Sequence, residues 1–333
     1  MEPYVQSNLL VLLLVVVAAL LWRAVWRNPL GRQAARQIAR RRPIALAVVG
    51  LYMAIALGDS VAWIGGADAY RPRTVIDRFF PVDFQERSYS APLATTDFYG
   101  DEPLRYPGRH LLGTDILGRD VLHLTLKGAR VALLIGGLTS LIVIPIALLF
   151  GVSAGYLGGR VDDAVFFLMS TLASMPGLLL LIALIMAMGH GTVQVCIALG
   201  VTGWVGFCRV ARGETLKLRE QDYVTAARAL GAGAPHVMLR HVVPNLAHLV
   251  VITFVLMFSG LVLTEAVLSW LGIGLAGSWG QMIDQARDEL ARDPIIVWNL
   301  LSAAVALFGL ILAVNLVGDA VRDVLDPRTR AEP

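Results

Sequence analysis

Residues 164–208 read AVFFLMSTLASMPGLLLLIALIMAMGHGTVQVCIALGVTGWVGFC, and this run contains no Asp, Glu, Lys or Arg. A helix needs about 20 predominantly apolar residues to cross a bilayer. The run is long enough for two crossings. The same absence of charge holds over residues 245–264 and 294–318. These stretches therefore predict membrane-spanning helices.

The composition of the whole chain agrees with a membrane protein. Of the 333 residues, 16% are charged and 56% are hydrophobic, and the mean hydropathy is +0.67. A soluble domain carries about 25% charged residues, so this chain has too few charges to cover its surface in water. Its hydrophobicity excludes intrinsic disorder. Its net charge of +3 is too small to indicate nucleic-acid binding.

Seven stretches in all are apolar enough to cross or enter a bilayer. We therefore predict an all-α fold, a polytopic bundle of transmembrane helices with a small extracytoplasmic segment. The seven stretches are residues 8–26, 44–64, 130–157, 163–189, 191–211, 245–272 and 295–318.

Basic residues predict how these helices are oriented. Residues 23–43 contain seven arginines and no acid, and such segments stay on the cytoplasmic side. The charges flank the first apolar stretch in the opposite order to a secretory signal peptide, so we interpret this stretch as an uncleaved anchor with its N-terminus outside. Alternation then places residues 65–129 outside the cell, and residues 212–244 and the C-terminal tail 319–333 in the cytoplasm.

The predicted organisation has five parts along the chain. They are an additional N-terminal helix with an Arg-rich cytoplasmic loop (1–43), a transmembrane helix (44–64), an extracytoplasmic segment (65–129), a transmembrane core that includes a cytoplasmic loop at 212–244 (130–318), and a cytoplasmic tail (319–333).

Several catalytic motifs are missing from the sequence. An ATPase phosphate loop places its lysine after a glycine, and neither Lys127 nor Lys217 has that neighbour. The six histidines lack zinc-site spacing. We therefore expect no enzymatic activity, no metal and no bound cofactor in this chain. No carboxylate falls at the middle of a predicted span, which argues against a proton-coupled carrier.

One cytoplasmic stretch has the pattern of a docking element. In DYVTAARALG, residues 222–231, Asp222 is a suitable helix N-cap and Gly231 a suitable stop. An apolar stripe with the spacing i, i+3, i+4, i+7 runs along this helix. The stripe consists of Tyr223, Ala226, Ala227 and Leu230.

A second short helix is expected after the bend, starting near Pro235 and ending near Arg240. Pro244 then begins the next span. Two short helices with an apolar stripe in a basic loop are typical of a surface that binds a partner. The alternative is that the stripe packs against the inner face of the same protein.

This loop resembles the one in permease subunits of bacterial binding-protein-dependent ABC importers, which has the pattern E-A-A-x3-G-x9-I-x-L-P. Ala226, Ala227, Gly231 and Pro244 match it. The sequence departs from the pattern at Thr225, His241 and Val243, where the family has Glu, Ile and Leu. The resemblance implies that the loop couples the permease to an ATPase subunit, without an ion pair from position 225.

A second stretch is similar to the dipeptide/oligopeptide/nickel branch of that family. Residues 110–122 read HLLGTDILGRDVL and are followed by GAR at 128–130, which resembles the signature H-P-L-G-T-D-x-x-G-R-D-V-L and G-A-R. Leu111 replaces the proline. The resemblance implies a role outside the membrane, in contact with the binding protein or the partner permease, for Asp115, Gly118, Arg119 and Asp120. The alternative is a local ion-pair network that supports the start of a helix.

A third stretch, EAVLSWLGIG at residues 265–274 followed by SWG at 278–280, is similar to the same branch and indicates its C-type subunit. Glu265 and Ser269 lie in it. They are candidates for the translocation path or for the interface between permease subunits.

The resemblance implies a six-helix core and a set of partners. These are a homologous B-type permease subunit, two ABC ATPase subunits that bind ATP and Mg, an extracytoplasmic substrate-binding protein, and the lipid of the bacterial inner membrane. The implied substrates are di- or oligopeptides. Import of nickel complexes or other small ligands stays open, as does a carrier or channel that works without ATP.

Overall fold

The computed structural model describes residues 29–61, 73–80, 84–100, 102–189 and 191–325, together with scattered positions between 8 and 27. Most of the described residues are helical and none forms a β-strand, whereas those from 84 to 120 are irregular and contain three isolated backbone bridges. The predicted first span, residues 8–26, falls largely outside the described residues.

The helices are numbered in chain order. They are α1 (Pro29–Arg41), α2 (Pro43–Ser60), α3 (Val121–Leu157), α4 (Gly159–Ala173), α5 (Gly177–Met188), α6 (Thr192–Arg219), α7 (Asp222–Ala229), α8 (Ala234–Val237), α9 (Ala247–Trp270), α10 (Trp279–Leu290) and α11 (Trp298–Leu325). Short 3₁₀ turns occur at Ile76–Arg78 and Val243–Leu246, and a π turn occurs at Met238–Val242.

Five helical stretches are long and apolar enough to cross a membrane. They are α2, α3, α6, α11 and the continuous helical stretch Ala234–Trp270, and the pair α4–α5 counts as a sixth if it forms one span. The predicted all-α polytopic fold is confirmed.

The predicted span at 163–189 is broken rather than continuous. Helices α4 and α5 meet at 89° across the break between Ala173 and Gly177. Pro176 lies in this break, lacks a backbone N–H and disfavours helical geometry in the residue before it. The proline alone predicts a kink, whereas in the structure the helix axis turns through nearly a right angle.

Helix α3 begins earlier than the predicted start at residue 130. Its first residue is Val121, because the Asp120 carboxylate accepts a hydrogen bond from the His123 amide at 3.0 Å and caps the helix. The last part of the predicted extracytoplasmic segment, residues 121–129, is therefore helical.

The chain divides into two compact units. The first comprises residues 1–135 and 262–320, and the second comprises residues 136–261 and 321–333. In the first unit, Trp279 packs against Gly128 and its indole N–H donates to the Thr125 carbonyl at 2.8 Å. These contacts join the start of α3 to α10.

In the second unit, helix α3 lies close against α6. A Cβ placed on Gly151 would lie 2.7 Å from the Cys208 carbonyl, and one on Gly155 would lie 2.8 Å from the Arg212 carbonyl. Both positions lack the space for a side chain, which explains two of the three glycines spaced four apart along this stretch. The third, Gly159, has no such neighbour and lies at the start of α4 instead.

An ion pair connects α4 to α6 in the same unit. The guanidinium of Arg212 donates to both carboxylate oxygens of Asp162, each at 2.6 Å. Such two-point pairing fixes direction as well as distance. The C-terminal ends of α3 and α6 and the first turn of α4 are thus held together, close to the segment that follows α6.

Candidate functional site

The segment from residue 222 to 246 begins with the short helix α7. Its N-cap is Gln221 rather than the predicted Asp222, and no side chain caps it. Asp222 is the first helical residue, where a negative charge favours the helix dipole. Gly231 follows the helix with φ +85°, a conformation that glycine adopts without strain. The chain turns there toward α8.

The chain after this turn differs from the predicted isolated helix ending near Arg240. Helix α8 continues directly into the π turn and the 3₁₀ turn, and these lead into α9. Pro244 has no N–H to donate to the preceding turn, and the wide π turn just before it accommodates that loss. The segment is therefore connected to the next membrane helix by continuous helical backbone.

One face of this segment is buried in the core of the second unit. Val224, Val237, Val242 and Leu246 are each 0% exposed and pack with Val152 and Tyr156 near the end of α3. Ala227 is half-buried against the same cluster. For Ala227, the structure supports the alternative of packing within the protein itself.

Several other apolar residues of the segment are exposed. Leu230 is 90% exposed, Leu239 is 71% exposed and Tyr223 is 42% exposed, and Ala226 is also exposed. The predicted stripe is thus divided, with Ala227 turned inward and its other three members turned outward. Large exposed apolar side chains on a rigid support are typical of an interaction surface.

Hydrogen bonds hold the exposed face in place. The Tyr223 hydroxyl accepts a hydrogen bond from the side-chain amide of Asn245 at 3.2 Å. The Thr225 hydroxyl donates one to the backbone carbonyl of Asp222 at 2.9 Å. The Arg228 guanidinium lies 5.8 Å from the centre of the Tyr156 ring. Thr225 and Pro244 are both exposed. We call Tyr223, Ala226 and Leu230, which lie on one side of the α7 turn, the exposed patch.

The signature residues before α3 form a compact local network in the first unit. The Asp115 carboxylate is fully buried and accepts from the Arg119 amide at 2.8 Å and from its guanidinium at 2.6 Å. Gly118 has φ +70°, and a Cβ there would collide with the Glu86 backbone. These contacts support the alternative of a structural network before the helix.

His110 is a part of this network whose role the sequence does not indicate. It is 2% exposed, and its Nδ1 lies 2.8 Å from the Asp120 carboxylate. Its Nε2 lies 3.4 Å from the Glu86 carboxylate, which accepts hydrogen bonds from the backbone amides of Arg105 and Tyr106. His110, the first residue of the signature, is therefore buried between two carboxylates.

We expect Asp120→Ala to destabilise the start of α3. It removes both the cap on His123 and the partner of buried His110, and losses of this kind cost about 1–3 kcal/mol. Asp120→Asn should keep most of the cap, because Asn is an equally good N-cap. Thermal unfolding of the purified chain compares the two variants, and equal melting temperatures for Asp120→Ala and the parent would contradict this role.

A second charged cluster lies between the end of α2 and the start of α3. Lys127 pairs with Asp77 at 2.6 Å, His123 lies 2.9 Å from the same carboxylate, and Arg130 lies 3.7 Å from buried Asp59. Burial raises the pKa of the Asp77 carboxyl, but hydrogen bonds from His123 and Lys127 outweigh it and hold that pKa well below its usual range. Attraction between these opposite charges holds the end of α2 and the turn at Ile76–Arg78 against the start of α3.

Glu265 and Ser269 are buried inside the first unit. The Ser269 hydroxyl donates to the Glu265 carboxylate at 2.6 Å and lies 3.0 Å from the Ser278 hydroxyl, which caps α10. Gly280 packs directly on Ser269. The third signature stretch therefore fastens α10 to the end of α9.

Metal ligands do not cluster in the part of the chain that the structure describes. No group of three or more His, Cys, Asp or Glu residues there could hold a metal ion.

Comparisons with known proteins agree with these features. Residues 147–331 match the family model described as the binding-protein-dependent transport system inner membrane component. The oligopeptide transport system permease protein OppC of Bacillus subtilis is 35% identical over 224 residues, which is 66% of this chain and 72% of that protein. OppC of Haemophilus influenzae is 32% identical over 260 residues, 77% of this chain and 80% of that protein. The dipeptide transport system permease protein DppC of Bacillus subtilis is 36% identical over 228 residues, 66% of this chain and 69% of that protein.

The resemblance seen in the three sequence motifs is thereby confirmed. With its membrane-capable helices, this is a multi-pass inner membrane protein. The chain belongs to the family of inner membrane components of binding-protein-dependent transport systems, and it is a permease subunit of such a system.

Proposed function

We propose that this chain, paired with a homologous B-type permease, forms the path by which an ATP-driven importer moves di- or oligopeptides into the cell. The names of the relatives support this substrate class, because they describe oligopeptide and dipeptide transport. A further relative, from Pectobacterium atrosepticum, is a glutathione transport system permease that is 34% identical over 225 residues. Glutathione is itself a small peptide.

The exposed patch is the proposed seat for an ABC ATPase subunit. An apolar side chain as exposed as Leu230 gains free energy only when a partner covers it, roughly 1.5–3 kcal/mol for a leucine. The buried face of the same segment keeps the patch in a fixed position. The observation that best supports the proposal is that exposed apolar side chains lie on a segment whose other side is packed in the protein core.

The same geometry suggests how docking leads to transport. ATP and Mg bind to the two ATPase subunits, and this chain contributes no residue to the nucleotide. When the ATPases close, they displace the patch. Val242 and Leu246 link that displacement to the end of α3, and continuous helical backbone links it to α9. The segment therefore transmits the movement of the ATPases to the membrane helices. An extracytoplasmic binding protein delivers the peptide.

Reconstitution tests the proposed function directly. The complete complex is placed in proteoliposomes with ATP inside, and a labelled dipeptide and its binding protein are added outside. We expect uptake that requires ATP and the binding protein. Uptake of a nickel complex in place of peptide would contradict the substrate class, and peptide uptake without ATP would favour a carrier.

The sidedness of the protein has its own test. The arginines in residues 23–43 favour a cytoplasmic position for this segment, so a cysteine introduced at Gln33 should resist a membrane-impermeant thiol reagent in intact cells. A cysteine introduced at Thr95, in the segment proposed to face outward, should react. Native Cys196 and Cys208 are buried and give little background. The opposite labelling pattern would reverse the topology.

A further inference from the structure

Three of the four arginines in helix α1 lie on one side of the helix, and Arg41, its last residue, lies on the other. Arg32, Arg36 and Arg40 follow the spacing i, i+4, i+8, so they form one stripe along the helix, and all three are exposed. Ala35 and Ile38 are half-buried. At 100° per residue, Ile38 lies on the side opposite the stripe. No acidic residue occurs anywhere in α1.

The position of α1 in the chain brings this charge to the membrane boundary. Only Arg42 separates α1 from α2, and backbone hydrogen bonds cross this junction from Arg42 to Ile38 at 3.0 Å and from Leu46 to Arg42 at 3.2 Å. Helix α2 carries no charge from Pro43 to Gly58, and its Ile44 side chain is 79% exposed. The hydrocarbon region therefore begins within one turn of the end of α1.

A helix held at this depth meets the lipid headgroups. Its arginines are too polar for the hydrocarbon, and its apolar residues gain from partial insertion. Basic residues just outside a membrane span are attracted to anionic lipid, each contributing to binding near the surface. Arginine also donates paired hydrogen bonds that match a phosphate.

We propose that α1 is an interfacial helix whose arginine stripe binds the headgroups of anionic phospholipids beside α2. The occupant is the membrane surface rather than an acidic protein partner, because α1 is joined to a membrane span through a single residue and continues its charge into Arg42. The proposal does not depend on the transported substrate.

Lipid titration of the full chain tests this. The chain in neutral detergent is titrated with phosphatidylglycerol or with phosphatidylcholine, and bound lipid is counted by native mass spectrometry. We expect a preference for phosphatidylglycerol that weakens as salt increases. Each single change of Arg32, Arg36 or Arg40 to Gln should lower the apparent affinity about fivefold, and the triple change on the order of a hundredfold.

Two matched variants test whether lipid binding depends on the arginine stripe itself or only on the net charge of the chain. A control triple, Arg87→Gln, Arg109→Gln and Arg287→Gln, removes the same charge from exposed arginines elsewhere and should retain the parental affinity. The triple change of the stripe to Lys keeps the charge and should retain most of it. Parental affinity in the Gln triple, an equal loss in the control triple, or equal binding of both lipids would overturn the proposal. A complete loss in the Lys triple would also overturn it, since attraction by charge would then be insufficient.

Discussion

Leu230→Asp is expected to weaken ATPase docking strongly while the permease still folds and inserts. Leu230 is 90% exposed, so the change removes almost no contact within the protein, and its effect on the free energy of unfolding should stay within about 0.5 kcal/mol. In a complex, the carboxylate would be buried in an apolar groove without a partner. Such a central contact is worth at least about 2 kcal/mol, which is roughly 30-fold in affinity.

An exposed leucine in the first unit provides the control. Leu111 is 56% exposed and lies in the segment proposed to face outward. Leu111→Asp adds the same charge and should leave docking close to parental. Co-purification of the ATPase subunits and peptide-stimulated ATP hydrolysis compare the variants. If the Leu230→Asp variant still co-purifies with the ATPase subunits and still shows peptide-stimulated ATP hydrolysis, the exposed patch is not the docking surface.

Ala227 is the less informative target, although it lies on the predicted stripe. Its side chain is half-buried against the cluster around Val224, so Ala227→Trp would overpack the protein's own core. Overpacking commonly costs about 1–3 kcal/mol. A loss of coupling in that variant would mix misfolding with failed docking.

Gly155→Val should cause a large loss of stability in the second unit. The new side chain would meet the Arg212 carbonyl and the Cβ of Thr215, each 2.8 Å from the position of its Cβ. One of these is backbone and cannot rotate away, so α3 and α6 must separate. We expect a loss of more than about 2 kcal/mol in the free energy of unfolding, at the upper end of overpacking costs.

Gly206→Val is the matched control for this change. Gly206 lies on α6, and a Cβ there would have nothing within 4 Å. The same substitution should therefore change the melting temperature little. Equal melting temperatures for Gly155→Val and Gly206→Val in detergent would show that the close approach of α3 and α6 does not stabilise the protein.

The sequence is sufficient to predict the spans because hydrophobicity alone determines which helices enter a membrane. At Pro176 it predicts only a kink, because proline removes a hydrogen bond locally while the 89° angle depends on what the two helices pack against. A hydropathy pattern misses the early start of α3 because the basic residues His123, Lys127 and Arg130 interrupt the apolar run in the first turns of that helix.

The exposed patch is predictable only in part, for a similar reason. The i, i+3, i+4, i+7 spacing identifies an apolar stripe on α7, but a helix of two turns is narrow enough for such a stripe to face two neighbours at once. Val224, which lies outside the stripe, is the residue that is fully buried. Which side faces inward depends on the packing of Val237 and Val242, and these residues follow a turn whose geometry the sequence does not specify.

His110 illustrates contacts that a sequence pattern does not contain. Its signature is a run of letters close together in the chain, whereas its buried contacts with Asp120 and Glu86 join residues from separate turns and loops. Nothing in the spacing of these residues predicts that they meet. The signature residues are therefore candidates for an external interface on sequence grounds, and the structure gives them internal partners.

Photo-crosslinking from position 230 tests the central claim, that the exposed patch seats an ATPase subunit. A photoreactive amino acid replaces Leu230 in the assembled complex, and another replaces exposed Leu111 in a parallel sample. We predict crosslinks from position 230 to an ABC ATPase subunit, strengthened by ATP and much weaker from position 111. Crosslinks from position 230 only to lipid or to the permease itself would contradict the claim.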